Sequence, residues 1–186
     1  MGTLITAAED KSWKVRVCFA KQYPQFTHAF GKELAENALV NSYCNLMTDS
    51  EPEVRNTAIN SLNQLLNPDK NNSQELISPD LLSQKIFPTL KNEIPTAQAS
   101  YKAGVALAFC SMARIVGTDF ANTMIVPELM TLLQDENTEL HINIVQNLKK
   151  VWNLEGTEEG DKKKGAPKTD LWQKMLEKIF NKGTHN

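Results

Sequence analysis

An all-α solenoid of antiparallel helix pairs is the fold this chain predicts, on three observations. A polar turn segment recurs along it about every 40 residues; each recurrence is followed by a helically spaced apolar stripe; and a second apolar stripe precedes each recurrence after the first. Two stripes that must each be covered, separated by a tight turn, pack most simply against one another. The composition agrees: of 186 residues 41% are hydrophobic and 23% charged, with Gly and Pro at 8 each, which suits a cored protein and not an unfolded one.

The recurring segment is Asp10-Lys-Ser-Trp-Lys-Val-Arg16, then Asp49-Ser-Glu-Pro-Glu-Val-Arg55, then the weaker Thr96-Ala-Gln-Ala-Ser-Tyr-Lys102, then Asp135-Glu-Asn-Thr-Glu-Leu-His141. Its starts lie 39, 47 and 39 residues apart. That interval is close to the ~40 to 47 residues of HEAT and armadillo units, each a pair of antiparallel helices, and the resemblance given below selects a HEAT-repeat α-solenoid.

Residues 1–31 form a partial first unit, the end of helix A and then helix B. Met1, Leu4 and Ala8 fall at helix A spacings before Asp10, and Val15, Phe19, Tyr23 and Phe26 stripe helix B. Pro24 predicts a kink or break near Gln22, because its nitrogen carries no hydrogen. In the second unit, residues 32–67, Leu39, Val40, Tyr43 and Met47 face Val54, Ala58, Leu62 and Leu65. Residues 68–79 are rich in Asn, Asp and Ser and read as a loop. The third unit, 80–117, repeats the pattern with Ile86, Phe87, Leu90 and Ile94 against Tyr101, Val105, Phe109 and Met112. The fourth, 118–155, does so with Ile125, Val126, Leu129 and Leu133 against Leu140, Ile144, Leu148 and Val151. Pro88 and Pro127 stand at matching places inside helix A and are expected to bend it. A charged loop spans 156–169, its Lys162, Lys163 and Lys164 read as a solvated linker before a localisation signal or anionic docking patch. Residues 170–186 carry Leu171, Trp172, Met175 and Ile179 at helix A spacings, the first helix of a truncated fifth unit. The chain is thus expected to be an excerpt from a longer array.

Several function classes recede. A formal charge of −2 offers no field for nucleic acid, the longest apolar run is far short of the ~20 residues of a membrane span, and no basic segment followed by an apolar one opens the chain. Cys18, Cys44 and Cys110 are widely spaced within apolar-periodic segments and are expected to be buried, reduced thiols, which suits the cytoplasm, with the nucleus as a second compartment. His28, His141 and His185 are dispersed, and no metal spacing, nucleophile elbow or phosphate-cradling glycine loop occurs. No enzyme activity, cofactor or metal is expected. The turn Asp residues are expected to accept from N–H groups at the start of helix B. Trp13 suits two roles, an anchor for a partner or a plug between neighbouring units.

Ala7-Ala-Glu-Asp-Lys-Ser-Trp-Lys-Val-Arg16 and Asn45-Leu-Met-Thr-Asp-Ser-Glu-Pro-Glu-Val-Arg55 go beyond generic helix pairing. With Ile86-Phe-Pro, Ile115-Val-Gly-Thr-Asp119 and Leu140-His-Ile-Asn-Ile-Val-Gln-Asn-Leu148, they make residues 1–151 resemble the HEAT-repeat scaffolding (A-type, regulatory) family of protein phosphatase 2A, at the middle of its array. The resemblance implies a right-handed superhelix with helices B on the concave side and a non-catalytic role. It implies regulatory subunits as partners, and for the full-length array a catalytic partner too, the phosphatase catalytic subunit. Docking would use the turn residues Asp10, Lys11, Ser12, Trp13 and Lys14, then Ser50, Glu51, Pro52 and Glu53. It also implies a ladder along the turns, built here from Asp10, Arg16, Asp49, Arg55, Lys102 and Asp135 and interrupted where Thr96 and His141 replace the pattern. The alternative is another HEAT-repeat adaptor, such as a nuclear transport receptor, against which the first turn argues.

Overall fold

The computed structural model describes the chain over residues 2–67 and 77–152, and its side chains over 5–33, 35–67 and 77–146. Among the described residues there are helices and turns and no strand. The expectations for Met1, Leu4, Leu148, Val151, the Lys162–Lys164 run and the fifth unit lie outside the described side chains or residues.

The first unit has a short helix A, Gly2–Ala8, and a long helix B, Trp13–Phe30. Helix B of the second unit is Pro52–Leu66, of the third Ala99–Met112 and of the fourth Thr138–Trp152. Each helix B packs on the helix B of the next unit, so these four form one continuous layer, with helices A lying against them. Ile86, Phe87, Leu90, Val105, Phe109 and Met112 are all 1% exposed or less, and a single apolar cluster runs from Ala8 to Ile144. Burying stripes of this size is the main force holding neighbouring units together.

Helix A of the second, third and fourth units shares an internal design. A short α turn, Lys32–Leu34, Pro79–Leu81 or Thr118–Phe120, leads into a five-residue π turn, Ala35–Leu39, Leu82–Ile86 or Ala121–Ile125. The α-helix then resumes as Val40–Met47, Phe87–Glu93 or Val126–Leu132. The π turns begin 14 residues before each turn segment in all three units. Pro88 and Pro127 stand two residues past the end of such a turn, in the first turn of the resumed α-helix, where a wider hydrogen-bond register spares the bond that proline removes. Proline is not its cause, because the second unit has Asn41 there and makes the same π turn.

Gly31 and Gly117 occupy one register position, 18 residues before their turns, with φ of 80° and 90°. These angles suit glycine alone and turn the chain from helix B into the next helix A. The third unit has Ser78 there at φ −73°, and its hydroxyl accepts from the Leu81 N–H at 3.2 Å as an N-cap.

Three expectations need correction. Val15, expected on the stripe of the first helix B, is 37% exposed at the start of that helix. Helix B of the first unit runs unbroken through Pro24, which is buried inside it. Tyr23 beside it stacks on Tyr43 at 3.7 Å, and the Thr27 hydroxyl donates to the Tyr23 carbonyl at 3.0 Å, so packing on both sides sustains the helix past the missing bond. The cysteines are not all buried either: Cys110 is, Cys44 is half-buried and Cys18 is exposed. Cys18 immediately precedes the buried Phe19 and so falls on the outer side of the stripe. Burial pushes the Cys110 thiol up to about 12 and that of Cys44 upward too.

Candidate functional site: the ridge of turns

The turns between helix A and helix B line up along one edge of the stack. Their shape follows from aspartate at the first position. Asp10 accepts from the Ser12 N–H at 2.7 Å, Asp49 from Glu51 at 2.9 Å and Asp135 from Asn137 at 3.0 Å, each closing a loop two residues long. Helix B then starts one residue later in each case. Thr96 has no carboxylate, and the third turn is instead a tight 3₁₀ turn, Ile94–Thr96, leading to Gln98.

Six residues after each start stands the cation of the ladder positions. Arg16 reaches across to the second turn, donating from Nε to Asp49 Oδ2 at 2.7 Å and from Nη2 to Asp49 Oδ1 at 2.9 Å, a bidentate fork. Its third nitrogen, Nη1, turns back to the carbonyls of Asp10 at 2.8 Å and Lys11 at 3.3 Å. One guanidinium therefore ties its own turn to that of the next unit. The bond to Asp49 raises the guanidinium's proton affinity. At Asp49, burial pushes the carboxyl up. The Arg16 fork, the Glu51 N–H and the charges of Arg16 and Arg55 overcome it and hold the group below the usual carboxylate range.

Lys102 repeats the rung, 2.7 Å from Asp135 Oδ2. That hydrogen bond, and the Asn137 N–H after it, hold the Asp135 carboxyl below its usual range. Arg55 differs. Its Nη1 donates back to the carbonyls of Asp49 at 2.5 Å and Ser50 at 3.1 Å, matching Arg16, but the next turn presents Thr96 in place of a carboxylate. Asp10 closes its own turn and lends its carbonyl to Arg16. The rungs present are thus Arg16 to Asp49 and Lys102 to Asp135, with a gap between them at Arg55.

The docking candidates are placed together by the same turns. Lys11, Ser12, Trp13 and Lys14 are all exposed, and Trp13 is 40% exposed with Lys14 Nζ 5.8 Å from its ring centre. Ser50, Glu51, Pro52 and Glu53 are likewise exposed on the second turn. The first turn is therefore aromatic and basic and the second acidic.

Reading the sequence alone missed the polar pairs that lock helix B of the second unit to that of the third. Asn63 Nδ2 donates to the Gly104 carbonyl at 3.0 Å, and Asn67 Nδ2 to Ser111 Oγ at 2.7 Å. The Tyr101 hydroxyl donates to the Met47 carbonyl at 2.8 Å, joining helix B of the third unit to the end of helix A in the second. The buried side of a helix is marked by apolar spacing, and polar residues there give no comparable signal. No helix among the described residues is long and apolar enough to cross a membrane.

Comparison with known proteins places this geometry. A HEAT repeat model matches residues 39–67, most of the second unit. The beta isoform of the A-type 65 kDa regulatory subunit of serine/threonine-protein phosphatase 2A from Homo sapiens is 28% identical over 127 residues, 68% of this chain and 20% of that protein. The chain thus spans about a fifth of the length of this relative. With stacked helix pairs already established, the match on the second unit makes the fold an all-α HEAT-repeat solenoid.

Proposed function

We propose that the chain is a non-catalytic scaffold segment of a protein phosphatase 2A complex, which holds regulatory subunits on its ridge of turns and, within a longer array, the catalytic subunit. The observation that carries this reading is the first turn, where Lys11, Trp13 and Lys14 stand exposed on a frame fixed by Asp10 and Arg16. An exposed Trp on rigid backbone is a usual anchor of protein interfaces, and the flanking lysines favour an acidic partner surface. Similarity to the 65 kDa regulatory subunit of phosphatase 2A supports the choice of partner. A scaffold of this kind acts by geometry: several turns contact one partner at once, and the helix pairs set the distance between partners.

The test is capture of purified phosphatase 2A regulatory subunits by the chain, beside its Trp13→Ala variant, with helix content followed by circular dichroism. The expected result is binding by the parent chain and at least about tenfold weaker binding by the variant, with helicity unchanged. Absence of binding by a well-folded parent chain would overturn the assignment and leave only the solenoid.

A further inference from the structure

Arg16, Arg55 and Lys102 occupy one position in three successive units, and two of them meet a carboxylate of the next turn. Arg55 is held as Arg16 is, with Nη1 anchored on the two carbonyls of its own turn. In Arg16 the opposite edge, Nε with Nη2, grips Asp49 by two parallel bonds. The corresponding edge of Arg55 donates to no acceptor among the described residues, and the next turn has Thr96 where Asp49 stands for Arg16. Thr96, Gln98 and Ser50 around it are exposed, while Arg55 itself is half-buried. A guanidinium edge fixed in position and left without its counter-ion is preorganised for a carboxylate, because the fork matches that group's geometry and its ordering is already complete.

We infer that the gap in the ladder at Arg55 and Thr96 is a docking position for an aspartate or glutamate side chain of the protein that lies along the ridge, which takes the place Asp49 takes at Arg16. This rests on the scaffold reading and deepens it, extending the contact surface from the first two turns to the seam before the third. Carboxylate is the chemistry chosen because both filled rungs use it.

One internal competitor exists. Glu93 and Arg55 both act on the buried Tyr101 hydroxyl, whose proton affinity rises through burial first and then through Glu93, with Arg55 opposing. Glu93 is therefore near, yet it forms no ion pair with Arg55. On Arg55's own turn the acidic groups are Asp49, on which the charge of Arg55 already acts while its carboxylate is gripped by Arg16, and the exposed Glu51 and Glu53. Their presence means that a partner carboxylate gains from the fork itself and not from a broad positive field.

The experiment uses the full chain and purified regulatory subunits, with Arg55→Gln, Thr96→Asp and Thr96→Asn variants. Thr96→Asp supplies the missing rung from within, and it leaves the turn bonds of Arg55 in place if Arg55→Gln fails to fold. Thr96→Asp should raise the melting temperature and weaken binding about tenfold, while Thr96→Asn should do neither. A second readout needs no partner: phenylglyoxal should modify Arg55 faster than Arg16 in the parent chain, and Thr96→Asp or a bound partner should protect Arg55. Parent binding that Thr96→Asp leaves unchanged overturns this inference and spares the scaffold reading. Failure of the parent chain to bind any of the regulatory subunits overturns both. If Arg55 is as protected as Arg16 in the parent and Glu93→Gln unmasks it, the gap is filled from within and the inference falls.

Discussion

Asp49 does two things at once, closing its own turn through the Glu51 N–H and anchoring the Arg16 fork from the preceding unit. Its side chain is 9% exposed, so the pair is poorly screened by solvent, and its loss leaves the Nε and Nη2 donors of Arg16 without an acceptor. Asp49→Asn keeps an oxygen for the turn but removes the charge, and about 1–3 kcal/mol of stability should be lost at neutral pH by chemical denaturation. The pH dependence follows from the same contacts. The folded-state pKa of Asp49, and of Asp135 on Lys102, lies below the ordinary unfolded value of about 3.9. Their contribution is fully present above that value and is lost as pH falls through the folded value. Denaturation between about pH 5 and pH 2 should therefore show stability falling with acid, and falling less steeply in Asp49→Asn combined with Asp135→Asn. An identical slope in both proteins would mean that other carboxylates govern acid unfolding.

At the scale of elements, the approach of helix B in the second unit to that of the third is set by one glycine. A Cβ built on Gly104 would meet Ile59 Cγ2 at 2.9 Å and Cγ1 at 3.2 Å, and Ile59 is itself buried, 1% exposed. Alanine is the better helix former by about 1 kcal/mol, so propensity alone predicts that Gly104→Ala stabilises. Overpacking in a filled seam costs about 1–3 kcal/mol and should win, lowering the denaturation midpoint. The control is Ile59→Ala, which removes both clashing atoms: in that background Gly104→Ala should become neutral or stabilising. An equal effect in both backgrounds would exclude the clash as the cause. Nothing in the composition around Gly104 marks it for this role, since a single glycine in a helical stretch reads only as a small loss of propensity. The π turns of helix A were hidden for a related reason. Apolar spacing locates a stripe, and the stripe at Leu39, Ile86 and Ile125 survives a change of register one turn earlier, where Ala35, Leu82 and Ala121 are also buried.

Across the whole molecule, the repeat was legible because each unit solves the same problem with the same spacing. Apolar positions at matching offsets are buried in the second, third and fourth units as far as Ile144, and in the first unit at Phe19 and Tyr23, with Phe26 half-buried and Val15 exposed. The turn ridge was legible in part: Asp at the first position announces the turn, and the resemblance implies a ladder interrupted at Thr96, but the direction of each rung, Arg16 forward to Asp49 and Lys102 forward to Asp135, comes from the folded chain. Individual seams therefore differ in strength although the units look alike, and the seam between the second and third lacks a rung. Its compensation is the Tyr101 hydroxyl on the Met47 carbonyl, a bond of 2.8 Å in a buried setting. Tyr101→Phe keeps the ring and leaves that carbonyl unsatisfied, which should cost about 1–3 kcal/mol. In a one-dimensional stack the consequence goes beyond the midpoint, because weakening one interface lets the units on either side unfold separately. The denaturation curve of Tyr101→Phe should therefore broaden, with a lower m-value than the parent, and Thr96→Asp in the same chain should sharpen it again by restoring the rung. A lower midpoint at unchanged m would show that this seam, even without its tyrosine bond, still couples the two halves.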